Sequence, residues 1–285
     1  MPDLLTAKTA PPRPTVLTRA LCLCLALGTP LNAWSQVMIL LHGHLGSSID
    51  FRISGFNDVL KNAGWRDGGE IDTVRNTADL KPLRPAAHDN TFYALDLPSE
   101  AALTVQAARL DTALKKILSR HPGTTLVFTG FSAGGVVARL YMVRHPQLPV
   151  RALCTIASPH LGTESAELAL LAADSPLSEY ASEFGVEFIN HSQALYQDLV
   201  RERPGSFLYK LNREPHPATR YIAIVRVNSE AEPGDLVVPA YSQDMNNVVA
   251  LQGKVTTLTT PGVHGVLADD ARRLLQTLTS TVSQH

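Results

Sequence analysis

Cysteine is scarce in this 285-residue chain, which has only three. Cys22 and Cys24 lie in an apolar N-terminal run and only Cys154 lies in the body, so no disulfide framework is expected. No Cys/His cluster has zinc spacing, and the His-Glu-x-x-His pattern of zinc hydrolases is missing. The sequence therefore predicts no metal site.

The chain also lacks an excess of charge of either sign. It has 25 Lys+Arg against 26 Asp+Glu, a net charge of -1, and no basic block. Nucleic-acid binding depends on clustered cations that neutralise phosphates, so that class of partner is excluded. With 45% hydrophobic and 18% charged residues, the composition is that of an ordinary globular protein with enough apolar material for a large core.

No apolar run reaches the roughly 20 residues that a membrane-spanning helix needs. The run from Ala20 to Gly28 is far shorter and follows a segment with Lys8, Arg13 and Arg19, which is typical of a signal peptide. Ala33 and Ser35 are small residues at the positions that a signal peptidase prefers, which predicts cleavage after Ser35. Residues 1–35 are thus predicted to be a signal peptide or leader, and the mature chain is expected to be secreted or periplasmic. A membrane-tethered or disordered leader is the alternative.

From residue 36 onward, short apolar runs alternate with longer helical patterns, which indicates an α/β fold with a mostly parallel sheet covered by helices. No linker divides residues 36–285, so they are predicted to form one domain. The predicted strands are 37–41, 91–95, 126–129, 153–157, 221–227 and 255–259, and the predicted helices are 56–63, 103–119, 133–144 and 269–278.

Two stretches interrupt this alternation. Residues 66–90 are polar and rich in Gly, Pro and Asp, so an irregular excursion is expected there. Residues 163–216 form a longer insertion with apolar helical segments. It is interpreted either as a cover over a site or as an ordinary packed helical layer.

A nucleophile is predicted at Ser132. Residues 130–134 match Gly-x-Ser-x-Gly and stand between an apolar strand and a helix. Glycines in such a turn allow the serine to project above the sheet, while the following backbone N–H points toward a reacting oxygen.

A serine hydroxyl needs a base, and the base needs an orienting carboxylate. Of the ten histidines, His264 follows the last predicted strand and precedes the last helix, where the base is expected in this layout. Asp235 follows the strand before it and is the predicted acid, with Glu230 and Glu232 as the nearest substitutes. Asp269 and Asp270 are interpreted as first-turn acids of the last helix.

Backbone donors for a developing oxyanion are expected in the loop His42-Gly43-His44-Leu45-Gly46, which leaves the first strand at the same edge of the sheet. The predicted oxyanion hole consists of the N–H groups of His44 and Ala133. A merely tight turn is the alternative.

Five features, in this order along the chain, resemble those of an α/β-hydrolase of the lipase/esterase type. They are the loop at 42–44, the motif at 130–135, the segment Ala157-Ser-Pro-His-Leu-Gly-Thr163, the segment Asp235-Leu-Val-Val-Pro239 and His264. The chain is similar to bacterial secreted triacylglycerol lipases and lipase-like deacylases. The resemblance implies hydrolysis of carboxylic esters through an acyl-enzyme on Ser132, no cofactor, a structural His160 and a helical lid in the 163–216 insertion. The implied partner is a small-molecule ester or lipid, with transient contact with lipid surfaces.

The same residues would also serve a thioesterase, an acyltransferase or a serine peptidase. A non-catalytic binding or assembly protein on this fold is a further alternative. The sequence does not distinguish a long-chain lipase from a short-chain esterase, and it leaves the oligomeric state open.

Overall fold

The computed structural model describes residues 35–74, 90–173, 191–228 and 234–280. The predicted leader lies almost wholly outside them. The strands are β1 (Gln36–Leu41), β2 (Arg66–Asp72), β3 (Thr91–Asp96), β4 (Thr125–Phe131), β5 (Val150–Ile156), β6 (Arg220–Arg226) and β7 (Val255–Thr260). The helices are α1 (Ile49–Ile53), α2 (Phe56–Asn62), α3 (Leu103–Arg120), α4 (Ala133–Arg144), α5 (Glu164–Ala173), α6 (Gln193–Leu199), α7 (Phe207–Leu211), α8 (Ala240–Gln243) and α9 (Ala268–Thr279).

These strands form one sheet in the order β2-β3-β1-β4-β5-β6-β7, and every neighbouring pair is parallel. The predicted parallel α/β architecture is therefore confirmed. β1 lies inside the sheet, and its residues 37–41 are fully buried. A parallel sheet needs covering elements on both faces, which explains why this strand is apolar without alternation.

Two hydrophobic clusters cover the two faces. Ile39 of β1 belongs to the larger cluster, which includes Leu110 of α3 and Val136 of α4. Its neighbour Leu40 belongs to the other cluster, with Phe56 of α2 and Leu274 of α9. Successive residues of one strand thus pack against different helices, because side chains alternate across a sheet.

The expectation of an irregular segment at 66–90 is wrong for its first part. Residues 66–72 form β2, which pairs with β3 at the edge of the sheet with a register shift between Asp67 and Glu70. The sequence Arg-Asp-Gly-Gly-Glu-Ile-Asp carries no strand pattern, so pairing with β3 decides its conformation. A Cβ at Gly68 would overlap the Tyr93 ring, which explains a glycine within this strand. Residues 75–89 lie outside the described residues.

In the insertion at 163–216, the described part after residue 190 is a packed helical layer. Leu195 and Leu199 of α6 and Leu208 and Leu211 of α7 are buried in the larger core cluster. A lid stays a prediction, because residues 174–190 lie outside the described residues. No helix in the described ranges has the length and apolar character that crossing a bilayer requires.

Candidate active site

The predicted site residues lie in loops at one edge of the sheet. Ser132 follows β4, Asp235 lies between β6 and α8, and His264 follows β7. The loop from His42 to Gly46 follows β1, the neighbour of β4. Parallel strands direct their carboxyl ends to the same edge, so four loops from distant parts of the chain converge there.

Ser132 occupies a strained turn between β4 and α4. Its φ is 51° and its ψ is -128°, a conformation that residues with a side chain rarely adopt. The Ser132 N–H donates to the Ile156 carbonyl over 2.9 Å, and its carbonyl accepts from Gly135 N–H over 3.1 Å. A Cβ at Gly130 would overlap the Gly135 backbone, so this close crossing of strand and helix requires glycine.

A chain of hydrogen bonds joins the three predicted residues. His264 Nε2 lies 2.9 Å from Ser132 Oγ, and His264 Nδ1 lies 2.7 Å from Asp235 Oδ2. An ionised carboxylate can only accept, so the imidazole donates from Nδ1 and leaves Nε2 free to accept from the serine hydroxyl. This arrangement places a proton acceptor directly on the Ser132 hydroxyl.

Asp235 is held by the backbone that follows it. Its Oδ1 accepts from Val237 N–H at 3.1 Å and Val238 N–H at 2.8 Å, and the residue is 2% exposed. These bonds leave Oδ2 facing His264. Asp244 instead caps a short helix through Asn246 N–H. Glu230 and Glu232, the substitutes for the acid, lie outside the described residues.

The loop after β1 runs against the serine. A Cβ on Gly43 would lie 2.7 Å from Ser132 Cβ, so only glycine allows this approach. The His42 ring is bonded on both sides: Nε2 accepts from Leu97 N–H at 3.0 Å, and Nδ1 therefore donates to the Gly43 carbonyl at 2.8 Å. The N–H groups of His44 and Ala133, the predicted oxyanion donors, have no hydrogen-bond partner among the described residues.

The His44 side chain ties this loop to α6. Its Nε2 lies 2.8 Å from Ser192 Oγ, and the Ser192 hydroxyl donates to Glu100 over 3.3 Å. The Tyr196 ring meets the imidazole edge-on at 5.2 Å. Burial lowers the pKa of the His44 imidazole, against the opposing effect of Glu100. No local sequence pattern predicts this contact, because Ser192 is 148 residues away from His44.

Phe131, the second residue of the Gly-x-Ser-x-Gly motif, is a further residue of the site that the sequence analysis did not predict. Its ring centroid lies 4.9 Å from that of His264. The ring gives the imidazole an apolar neighbour beside its two hydrogen bonds. An aromatic residue at this motif position was the only available signal.

Two further histidines lie away from this site and interact with the guanidinium of the fully buried Arg139; the His216 side chain is half-buried. His160 is completely buried, and its Nε2 lies 3.1 Å from Thr155 Oγ1, in agreement with the structural role that the resemblance implied. Burial first, and Arg139 second, lowers the pKa of His160 well below the ordinary value and that of His216 to about 4. Both imidazoles are therefore neutral at pH 7.

This cluster predicts acid sensitivity of the fold. The unfolded chain takes up a proton at residue 216 as the pH falls below about 6.5, whereas the folded chain does so only near pH 4. The neutral His216 therefore does not lower the unfolding free energy above pH 6.5. Between pH 6.5 and pH 4 the unfolding free energy decreases by about 1–2 kcal/mol, a value that allows for the partial solvation of this side chain. Urea unfolding at several pH values should give a smaller decrease for His216→Gln. Parallel curves for the two proteins would contradict this assignment.

Two cavities border the candidate site. One of about 630 Å³ is lined by the loop after β1 and by Asp72, Asp96 and Glu100. The other, of about 460 Å³, lies beside the Asp235 loop and is mostly apolar.

Exposed apolar side chains lie on the surrounding loops or line the second cavity. They are here named the apolar rim: Leu45, Leu168, Leu236, Val237, Tyr241 and Val263. Within the described residues, no three His, Cys, Asp or Glu side chains are grouped to hold a metal ion.

Sheet order, strand direction and the serine turn define an α/β-hydrolase fold, and solved structures of that fold match the chain. A protein of Listeria innocua, the product of the gene lin2722, superposes with a TM-score of 0.64 at 16% identity, over 88% of this chain and 96% of that one. No protein-family model and no curated protein matches the sequence.

The lipase BlEst2 of Bacillus licheniformis is similar as well. Its mature form gives a TM-score of 0.59 at 14% identity, over 89% of this chain and 95% of the lipase. Its propeptide form gives a TM-score of 0.61 at 15% identity, but the match spans only 52% of that longer chain. At these identities the similarity establishes the fold and not the reaction.

Proposed function

We propose that this protein is a serine hydrolase that cleaves carboxylic esters through an acyl-enzyme intermediate. The observation that carries the proposal is the continuous hydrogen-bonded chain from Asp235 through His264 to Ser132 at a strained strand-to-helix turn. Strain and tight turns at a nucleophile persist only where the surrounding structure enforces them. The fold is also that of the lipase BlEst2, which is compatible with this chemistry.

In the first half of the reaction, Ser132 Oγ attacks the ester carbonyl carbon and passes its proton to His264 Nε2. Asp235 stabilises the resulting imidazolium through Nδ1–H. The carbonyl oxygen becomes an oxyanion, which the N–H groups of His44 and Ala133 would bind. Because Ala133 is the first residue of α4, its N–H lies at the positive end of the helix dipole.

The tetrahedral intermediate then expels the alcohol. The bond between carbonyl carbon and alkoxy oxygen breaks while His264 Nε2 returns its proton to the leaving oxygen, so that the acyl group stays on Ser132. Water next enters, gives its proton to Nε2 and attacks the acyl carbon. Collapse of the second intermediate releases the carboxylic acid and restores the serine hydroxyl.

The apolar rim favours esters with an apolar acyl group. Leu236 directly follows Asp235, is 88% exposed and has a φ of 73°, so its side chain makes no contribution to the core. A large apolar side chain held in solvent at a strained position is costly unless a ligand covers it. We propose that the acyl chain, or the lipid surface that presents it, makes this contact.

Hydrolysis of p-nitrophenyl esters from acetyl to palmitoyl by residues 36–285 tests the proposal. We expect turnover on the series, with kcat/KM rising from acetyl toward the longer chains as more apolar acyl surface is covered. A thioester and a peptide p-nitroanilide of matched size serve as controls for the alternative hydrolases. A folded sample that cleaves the peptide and no ester would contradict the assignment.

A further inference from the structure

A buried ion pair lies at the base of the loop that carries His264. Arg226 ends β6 and Asp270 lies in the first turn of α9, and both side chains are fully buried. The guanidinium meets the carboxylate with two bonds, Nη2 to Oδ2 at 2.6 Å and Nη1 to Oδ1 at 2.8 Å. Asp270 is a first-turn acid of the last helix, as the sequence predicted, and it also pairs with a buried guanidinium.

The pair reaches the His264 loop at three points. Arg226 Nη2 donates to the Gly265 carbonyl over 2.7 Å, directly after the histidine. Arg226 Nη1 donates to Thr260 Oγ1 at the end of β7. Asp270 Oδ2 accepts from Leu267 N–H over 2.8 Å, where the loop enters α9. One ion pair thus connects the start, the middle and the end of the loop.

Little else fixes this segment. Between Thr260 and Leu267 the chain contains Pro261, Gly262 and Gly265, and Val263 is 69% exposed. Its other described contacts are the bond of 2.9 Å from Gly262 N–H to the Asn228 side chain and the packing of the partly buried Val266 against the smaller core cluster. Core packing thus reaches this loop only after the histidine, at Val266, whereas His264 must meet two partners at hydrogen-bond distance at once.

Stability alone gives a weak reason for such a pair. Two charges taken out of water lose their hydration, and a well-packed apolar pair of similar size is often as stable or more stable. What an apolar pair cannot supply is the set of directed bonds to the Gly265 carbonyl, Thr260 and the Leu267 N–H. The directed bonds to this loop are therefore the feature that distinguishes the buried ion pair from an apolar pair.

We propose that Arg226 and Asp270 are positioning residues that hold the His264 imidazole in register between Ser132 and Asp235. The inference rests on the proposed function for its catalytic consequence, although the geometric consequence is independent of it. Displacing a catalytic group by about 1 Å costs on the order of 100-fold in rate. Loss of the pair should therefore act on the chemical step rather than on substrate binding.

The double variant Arg226→Met/Asp270→Leu is the decisive test. It replaces both charged side chains with apolar ones, so no buried charge is left without a partner. Replacing only one of the two by an apolar residue would leave the other charge buried and unpaired. We expect a folded protein with kcat on p-nitrophenyl esters reduced about 10- to 100-fold and KM changed by less than about 3-fold.

A matched control is available on the same helix. Asp269 and Arg273 form a solvent-exposed pair at 2.6 Å that does not contact the loop. The variant Asp269→Asn/Arg273→Gln should keep the wild-type kcat. Arg226→Lys retains the charge, but one ammonium nitrogen with three donors cannot replace the four bonds that the two guanidinium nitrogens make to Asp270, Thr260 and Gly265. Its kcat should therefore fall between the wild type and the double variant. The same variant tests the proposal if the double variant does not fold.

Proton NMR separates a failure of this inference from a failure of the proposed function. A histidine Nδ1–H bonded to a carboxylate gives a low-field resonance that requires no substrate. We expect this signal in the wild type, its loss in His264→Gln and its loss or broadening in the double variant. A wild type without ester turnover would remove the proposed function but leave this readout. A folded double variant with unchanged kcat and an unchanged low-field signal would overturn the positioning role.

Discussion

Replacing Ser132 by alanine is expected to lower kcat for ester hydrolysis by at least about 10⁴-fold. The change removes the oxygen that forms the acyl-enzyme, and members of such a hydrogen-bonded triad act as a unit. Alanine keeps the Cβ in the same turn, so the unfolding free energy should stay near that of the wild type. Single-turnover and steady-state assays on one p-nitrophenyl ester, with urea unfolding of the same samples, measure both effects.

Two further variants sharpen this experiment. Ser132→Gly should be equally inactive but more stable by about 1 kcal/mol, because glycine relieves the strain at φ 51° and loses only part of that gain to chain entropy. Ser158→Ala changes another buried serine, next to β5, that does not contact His264. It should keep wild-type turnover. Undiminished activity in Ser132→Ala would end the proposed mechanism.

Asp235→Asn is expected to lower kcat by about 10⁴-fold with little change in fold. The Val237 and Val238 N–H groups donate to Oδ1, so the asparagine oxygen must occupy that position and its NH₂ group must face His264. Nδ1 would then have to accept, which moves the imidazole proton to Nε2. In that tautomer Nε2 cannot take the proton of the Ser132 hydroxyl.

Asp244→Asn is the matched control for this variant. Asp244 lies in the same region between β6 and β7, but its carboxylate accepts from Asn246 N–H and Thr257 Oγ1. An amide oxygen can make the same contacts, so activity should stay within about 2-fold of the wild type. A mild effect of Asp235→Asn, together with a severe effect of Glu232→Gln, would reassign the acid.

The sequence by itself determined the fold class and the order of the predicted site residues. Buried parallel strands are continuous apolar runs, and a strand-glycine-serine-glycine-helix junction is local turn chemistry, so both are legible without tertiary contacts. The positions of His264 and Asp235 could be predicted because the carboxyl ends of parallel strands share one edge. The six predicted strands and four predicted helices all lie where the structure has such elements.

Only the tertiary structure decided what holds these parts in place. β2 is a strand because β3 offers it backbone partners, although its own residues have low strand propensity. Ser192 meets His44 across 148 residues, and Arg226 meets Asp270 across 44. No local pattern marks such pairs, because a charged or polar side chain has the same sequence signature whether it faces solvent or a buried partner. The geometry of the His264 loop was therefore set by contacts that appear only once the sheet is assembled.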